Sequence, residues 1–282
     1  MLEGCFTEDS SDVHCRLREQ LLSPEKKLAA PKIGFAAETA GFPDGITDRL
    51  GRDLLQHGLG IVHLDVPLTN EAFQELGSTL GTAIPETAPA VQPYVENGFV
   101  LNLRADAGKT PDVDLQPFAV NPLSLHSEGS GRAVTEQPRH IVLMCLEPGD
   151  ASASTLLVPM SEVAAGLTDE DLRLLSSTRY AEAPGVPPVV RVHEGHTTFS
   201  FRDFQQEPLR WVCTAPGATE SAVNGALGLL LARMYDARNA SAVSWSRGLL
   251  VVIDNTRFFH GRAAGLPRAA ARTRHLKRLR IR

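Results

Sequence analysis

The sequence predicts a mainly β fold with flanking helices, arranged as a barrel or a sandwich. Three observations predict it. Short apolar or alternating runs recur along the chain, separated by clusters rich in Gly, Pro, Asn and Asp. Only a few segments place apolar residues at helical spacing. No repeat of fixed period is present, which excludes solenoids and propellers.

Residues 1–32 read as a loosely structured leader, and residues 33–282 as a single domain. Within the domain, Ile46–His57 carries Leu50, Leu54 and Leu55 on one helical face and stops at Gly58 and Gly60. Gly60–Asp65 follows as a strand. Thr69 can cap the helix Asn70–Leu80, whose Phe73, Leu76 and Leu80 share a face. Strands then dominate: Val100–Leu103, Leu123–Glu128, His140–Leu146 and Thr155–Pro159. Two short helices, Ser161–Ala165 and Thr168–Ser177, interrupt them. Val189–His193 and Thr197–Phe201 form a hairpin turned through Glu194 and Gly195. Ala218–Arg238 is a long helix, Gly248–Asp254 a buried strand, and His275–Arg282 a closing strand.

Composition narrows the function. The chain has 282 residues, 43% hydrophobic and 22% charged, as an ordinary globular protein does. No run approaches the ~18 apolar residues of a membrane span, and the first residues lack the order of a signal peptide. Four cysteines without CxxC spacing fit a reduced, cytoplasmic setting. A net charge of −5 and 6% aromatics argue against a nucleic-acid partner. The total hides one asymmetry, since Arg268–Arg282 holds seven cations and no acid. The rest of the chain therefore carries −12, seven below the total of −5.

Two histidine contexts suggest chemistry. On a strand, residues i and i+2 point to one side, so His126 and Glu128 face one point while Leu123 and Leu125 face the other. His260 closes Asp254-Asn-Thr-Arg-Phe-Phe-His260-Gly-Arg262, at the end of the apolar run Leu249–Ile253. Two imidazoles and one carboxylate make the three-ligand face of a non-haem Fe(II) site with open positions. Either motif alone is commonplace; their joint occurrence in a strand-rich chain carries the reading. His193-Glu-Gly-His196 is not a zinc motif, because its second histidine comes at +3 with Gly195 between. The GLG at 58–60 and the GSG at 129–131 lack the sequel of a phosphate loop.

Four segments together resemble the Fe(II)/2-oxoglutarate-dependent oxygenases of the taurine dioxygenase (TauD/TfdA) superfamily, most of all the clavaminate synthase-like branch. They are Gly58–Leu80, His126-Ser-Glu128, Asp254–Arg262 and Arg274-His-Leu-Lys-Arg278. The resemblance implies a double-stranded β-helix, jelly-roll or cupin-like. It implies that His126, Glu128 and His260 hold Fe(II), and that Arg274 and Thr155, after a Gly-poor turn at 149–155, hold 2-oxoglutarate.

Arg278, four residues beyond Arg274 on the strand, points inward with it, and the resemblance to amino-acid-hydroxylating relatives implies that it binds a substrate carboxylate; Asn102 is expected to touch substrate from the barrel wall. Gly129–Arg132 reads as a loop over the iron. Arg272, Arg280 and Arg282 are expected to be solvated, and Lys277 to face outward. The implied reaction oxidises, most simply hydroxylates, an unactivated C–H bond of a small amino-acid-like or amine-bearing precursor. Dioxygen is consumed, and succinate and CO2 are released. The same machinery acting on a sulfonate, or desaturating or cyclising its substrate, is the alternative. A non-catalytic barrel using its basic end is the third reading. A monomer or homodimer is expected.

Overall fold

The computed structural model describes residues 1–104, 115–119, 121–149, 153–181, 185–205, 207–265 and 272–282. Strand β1 (Leu2–Phe6) and helix α1 (Val13–Leu22) open the chain. They lead to β2 (Phe35–Ala37), α2 (Ile46–His57), β3 (Leu59–Leu64) and α3 (Asn70–Leu80). Five strands follow: β4 (Val95–Glu96), β5 (Val100–Arg104), β6 (Leu123–His126), β7 (His140–Glu147) and β8 (Thr155–Pro159). After α4 (Met160–Ala165) and α5 (Asp169–Ser176) come β9 (Thr178–Tyr180), β10 (Val190–His193), β11 (His196–Phe199) and β12 (Leu209–Cys213). Helix α6 (Glu220–Met234) precedes β13 (Ser241–Val243), β14 (Leu249–Asp254), β15 (Phe258–Arg262) and β16 (His275–Ile281).

The expected mainly β architecture is observed. A seven-stranded sheet runs β2-β3-β14-β7-β16-β5-β4, and a four-stranded sheet runs β13-β8-β15-β6. Strand β14 explains how the layers stack. All six of its residues are buried, as in a strand covered on both faces. Leu250 and Val252 pack with Leu50, Leu54, Phe73 and Leu76 of α2 and α3. Leu249, Val251 and Ile253 pack on the other face with Leu157 and Phe258 of the four-stranded sheet. That second sheet turns Leu125, Leu156, Val158 and Phe259 outward against Leu227, Leu230 and Leu231 of α6. The space left between the two sheets is the cavity described below.

Local signals account for the helix ends. Gly58 adopts a left-handed conformation (φ 69°) and donates its N–H to Leu54 O, closing α2. Thr69 Oγ1 accepts the Ala72 N–H at 3.3 Å and opens α3. Glu194 and Gly195, both at positive φ, turn the β10–β11 hairpin where expected. No helix among the described residues is long and apolar enough to cross a membrane.

The leader needs correction. Residues 2–22 are ordered structure packed into the fold. Strand β1 pairs with β12 over Leu2–Phe6, and Leu21 and Leu22 of α1 join the core around α6. Strand β1 and helix α1 are short, and their main partners, β12 and α6, lie far along the chain, so no local pattern announces them.

Candidate metal centre and its cavity

A cavity of about 620 Å³ opens between the sheets, and His126, Glu128 and His260 stand together on its wall. Register explains the meeting: β6 and β15 pair His126 directly with His260, and the two rings lie 4.3 Å apart at their centroids. Glu128 Oε2 is 3.5 Å from His126 Nε2 and 3.8 Å from His260 Nε2. The three candidate ligand atoms all lie within 4.8 Å of one another.

Strand β6 ends at His126, so Glu128 sits in the following turn and not on the strand. Buried Asn255 holds it there. Its Oδ1 accepts the Glu128 N–H at 2.7 Å, while its Nδ2 donates to Glu128 O at 3.0 Å and Pro138 O at 2.9 Å. His126 Nδ1 lies 2.8 Å from Ser124 O. An Nδ1–H donated there leaves the Nε2 lone pair facing Glu128.

The electrostatics suit a divalent cation. Burial works against charge on Glu128, but Arg278 and the two imidazoles outweigh it and hold the carboxyl well below its ordinary range. Burial, and then the neighbouring His126, push His260 down to about 4, so this ring is neutral at physiological pH. Neutral imidazoles and a carboxylate with room beside them fit Fe(II).

Two arginine groups flank the centre along β16. On one side, Arg278 donates to Glu86 Oε1 at 3.0 Å and to Glu128 Oε1 at 3.4 Å. Arg280 donates to Glu86 Oε2 at 2.8 Å. Buried Glu86 is thus held by both guanidiniums. On the other side, Arg274 is buried, its Nε has no hydrogen-bond partner, and burial pushes its pKa down to about 10. Arg262, two residues beyond His260 on β15, shares the inward face. It donates to Gln116 O and Asn121 O, both at 2.8 Å, and burial with Arg274 nearby pushes it down to about 9.

Thr155 lies across from Arg262 in the β8–β15 register, lines the cavity, and accepts the Trp245 Nε1–H at 3.2 Å. Of the turn expected before it, residues 150–152 lie outside the described residues. Gly149 is described. It takes φ 72°, and a Cβ there would stand 2.6 Å from Arg274 N, so the close approach to Arg274 requires glycine.

Of the residues expected from the sequence, His126, Glu128, His260, Thr155, Arg274 and Arg278 line the one cavity, as does the loop Gly129–Arg132. Asn102 does not, and its expected substrate contact is corrected. Leu101 and Leu103 look into the cavity, so Asn102 looks away, donating to Tyr94 O at 3.2 Å and meeting His275 Nε2 at 2.7 Å. Alternation assigns faces but does not say which face is inner.

Arg280 is also corrected. It lies in the cavity and is not solvated. It shares the parity of Arg274 and Arg278, which was the available signal. Lys277 faces outward yet is buried, paired with Glu96 at 3.0 Å and touching Asn70. No sequence signal marks Glu86, which sits in a proline-flanked loop with no motif around it. Asn255 and Arg262 lie within the second histidine motif, but their spacing does not reveal that one braces Glu128 and the other lines the cavity.

The family model described as "Taurine catabolism dioxygenase TauD, TfdA family" matches residues 25–280. No curated protein matches in sequence. Solved structures of similar shape include an asparagine oxygenase in complex with Fe(II), 2S,3S-3-hydroxyasparagine and succinate. It has a TM-score of 0.62 and 18% identity, over 98% of this chain and 92% of that one. The non-heme iron oxygenase OrfP in complex with Fe and L-Arg has a TM-score of 0.57 and 18% identity, over 86% and 81%. A taurine dioxygenase from Burkholderia xenovorans has a TM-score of 0.62 and 14% identity, over 90% of each chain.

Proposed function

Since the chain belongs to the TauD, TfdA family of dioxygenases, we propose that it hydroxylates an unactivated C–H bond of a small zwitterionic substrate, an amino acid or an amine-bearing relative. The fold we infer for its core is the double-stranded β-helix. Fe(II), 2-oxoglutarate and dioxygen are its cofactors. When bound, they supply the oxidising equivalents, and succinate and CO2 leave as products.

His126, Glu128 and His260 would hold the iron from one side and leave its cavity side open. Arg274, with Thr155 on the wall of the same cavity, would take the distal carboxylate of 2-oxoglutarate. A buried guanidinium with an unused Nε calls for an anion, and its planar fork matches a carboxylate. Arg278 would take the substrate carboxylate and Glu86 the substrate ammonium. The observation that carries this reading is the pairing Arg278–Glu86–Arg280 beside Glu128. A zwitterion exchanges one buried ion pair for two and adds no net charge, whereas a lone anion or cation would leave a buried charge unmatched.

The asparagine oxygenase and OrfP, with their amino-acid ligands, support the substrate class. The taurine dioxygenase supports the second reading, a sulfonate, which is also zwitterionic when it bears an amine. The test is a panel of free amino acids, their N-acetyl and amide derivatives, and aminosulfonates. Each is assayed with Fe(II), 2-oxoglutarate and ascorbate, reading succinate and the gain of one oxygen in the product. Turnover confined to members with both a free amine and a free acid group is the expected result. Equal turnover of the N-acetyl derivatives would remove Glu86 from the reading.

A further inference from the structure

The N-terminal segment reaches the metal centre through one continuous run of buried polar contacts. Arg18 of α1 grips Asp203 with two donors, Nε to Oδ2 at 2.6 Å and Nη2 to Oδ1 at 2.9 Å. Its Nη1 donates to Glu8 Oε1 at 2.9 Å. Asp203 in turn accepts the Tyr235 hydroxyl at 2.6 Å, just past the end of α6. Tyr235 Oη accepts the Leu125 N–H at 3.1 Å, and Asp203 N–H donates to Leu125 O at 3.2 Å. Leu125 immediately precedes His126, and its carbonyl belongs to the peptide bond that carries the His126 nitrogen.

Strand β6 needs this outer clamp. It is the edge strand of its sheet, and its pairing with β15 is confined to His126 and Leu123 with an irregularity between them. Both polar backbone groups of Leu125 are held from outside the sheet. Asp203, with a side chain only 1% exposed, has Arg18 as its cationic partner; a buried carboxylate without one is strongly unfavourable. Tyr235 is fully buried, and burial together with Asp203 raises its pKa, so its hydroxyl remains a donor to Asp203.

We propose that Arg18 is a positioning residue of the metal centre, acting through Asp203 and Tyr235 on the backbone of Leu125 and hence on the His126 imidazole. The segment Leu2–Leu22 is then a working part of the site. The proposal rests on the reading of His126 as a metal ligand, and its test separates the two.

Full-length Arg18→Ala, Arg18→Lys, Tyr235→Phe and His126→Ala are compared with the parent. Fe(II) affinity is measured by anaerobic equilibrium dialysis, and thermal midpoints are measured on the metal-free proteins. Contacts behind metal ligands typically carry roughly 10- to 100-fold in metal affinity. Arg18→Ala and Tyr235→Phe are each expected to weaken Fe(II) binding by about tenfold or more, with Arg18→Lys between Arg18→Ala and the parent because it keeps the charge but not the fork. The Arg18→Ala/Tyr235→Phe double variant should be no weaker than the weaker single one, since both break one chain.

If both singles bind Fe(II) as the parent does, the proposal is overturned, even where their midpoints fall. That outcome would leave Arg18 a stability residue. If His126→Ala binds Fe(II) as the parent does, the metal reading itself fails. Should Arg18→Ala not fold, Tyr235→Phe, which keeps the ring, decides the matter alone.

Discussion

Replacing Arg274 by alanine tests the cosubstrate end of the cavity most directly. Burial moves the Arg274 pKa from 12.5 to about 10. At 1.36 kcal/mol per pH unit, keeping that buried guanidinium charged costs about 3 kcal/mol. A carboxylate brought against it removes that cost, so its loss should weaken 2-oxoglutarate by about 3 kcal/mol, roughly 100-fold. Rates of succinate release at increasing 2-oxoglutarate should show KM raised by that factor and kcat at saturation little changed.

Binding can also be read without turnover. The 2-oxoglutarate dependence of the thermal midpoint, measured anaerobically with Fe(II), should shift by the same factor. Arg274→Lys should recover part of the loss, because a point charge remains but the fork does not. An unchanged KM, or a collapse of kcat with KM intact, would refute the assignment and move the anchor elsewhere, with Arg262 the next candidate.

Three further outcomes are expected. His260→Ala should lose Fe(II) binding in equilibrium dialysis while keeping its far-ultraviolet circular dichroism; a variant that still binds iron with parental affinity would dismiss the triad. Gly149→Ala should destabilise the fold by about 1–3 kcal/mol and raise the KM for 2-oxoglutarate, because its Cβ would collide with the Arg274 backbone at a left-handed φ. A variant with parental KM would show that the turn can yield without disturbing Arg274. The third outcome concerns pH. Burial holds His260 at about 4, below its ordinary 6.5, so between these values the unfolded chain binds the extra proton. Stability of the metal-free protein should therefore fall as pH drops from about 6.5 to 4, with His260 contributing about 3 kcal/mol of that loss. Denaturant melts of His260→Ala should be flatter across this window, and parallel curves would show that His260 does not contribute.

What is legible in the sequence is what local rules decide. Strand β14 declares itself by an unbroken apolar run, α2 by its apolar spacing and terminal glycine, and α3 by its capping threonine. The candidate metal ligands are legible because two compact motifs carry them, one at the end of β6 and the other running from the end of β14 through β15. What fails to show are features made by distant partners. Strand β1 looks unremarkable until β12 lies beside it, and Arg18 looks like any helix-surface cation until Asp203, 185 residues away, is placed against it. Asn102 shows a different limit. Period two separates it correctly from Leu101 and Leu103, but only the stacking of the sheets says which set is inner. Arg280 looked solvated because it lies near the chain end, yet the loop carrying Glu86 folds back over it.

The basic closing strand now has a charge plan. Among the described residues, no acid pairs with Arg274, whereas Arg278 and Arg280 share Glu86 and Glu128. Among the described residues, one strand thus presents a cation without an acidic partner at one end of the cavity and compensated cations at the other, beside the candidate metal ligand Glu128. A doubly charged 2-oxo acid gains most at the uncompensated end, since an anion there relieves a buried positive charge. At the other end the same anion would have to displace Glu86 or Glu128 from its arginines and leave a buried carboxylate unmatched. A zwitterion has the opposite preference, because it can partner Glu86 and Arg278 together. On the proposed reading the two ligands would therefore be sorted by charge before any contact of shape, and the sorting follows from which arginines of β16 hold Glu86 and Glu128. Lys277, falling on the other parity, spends its charge on Glu96 at the back of the sheet and takes no part in it.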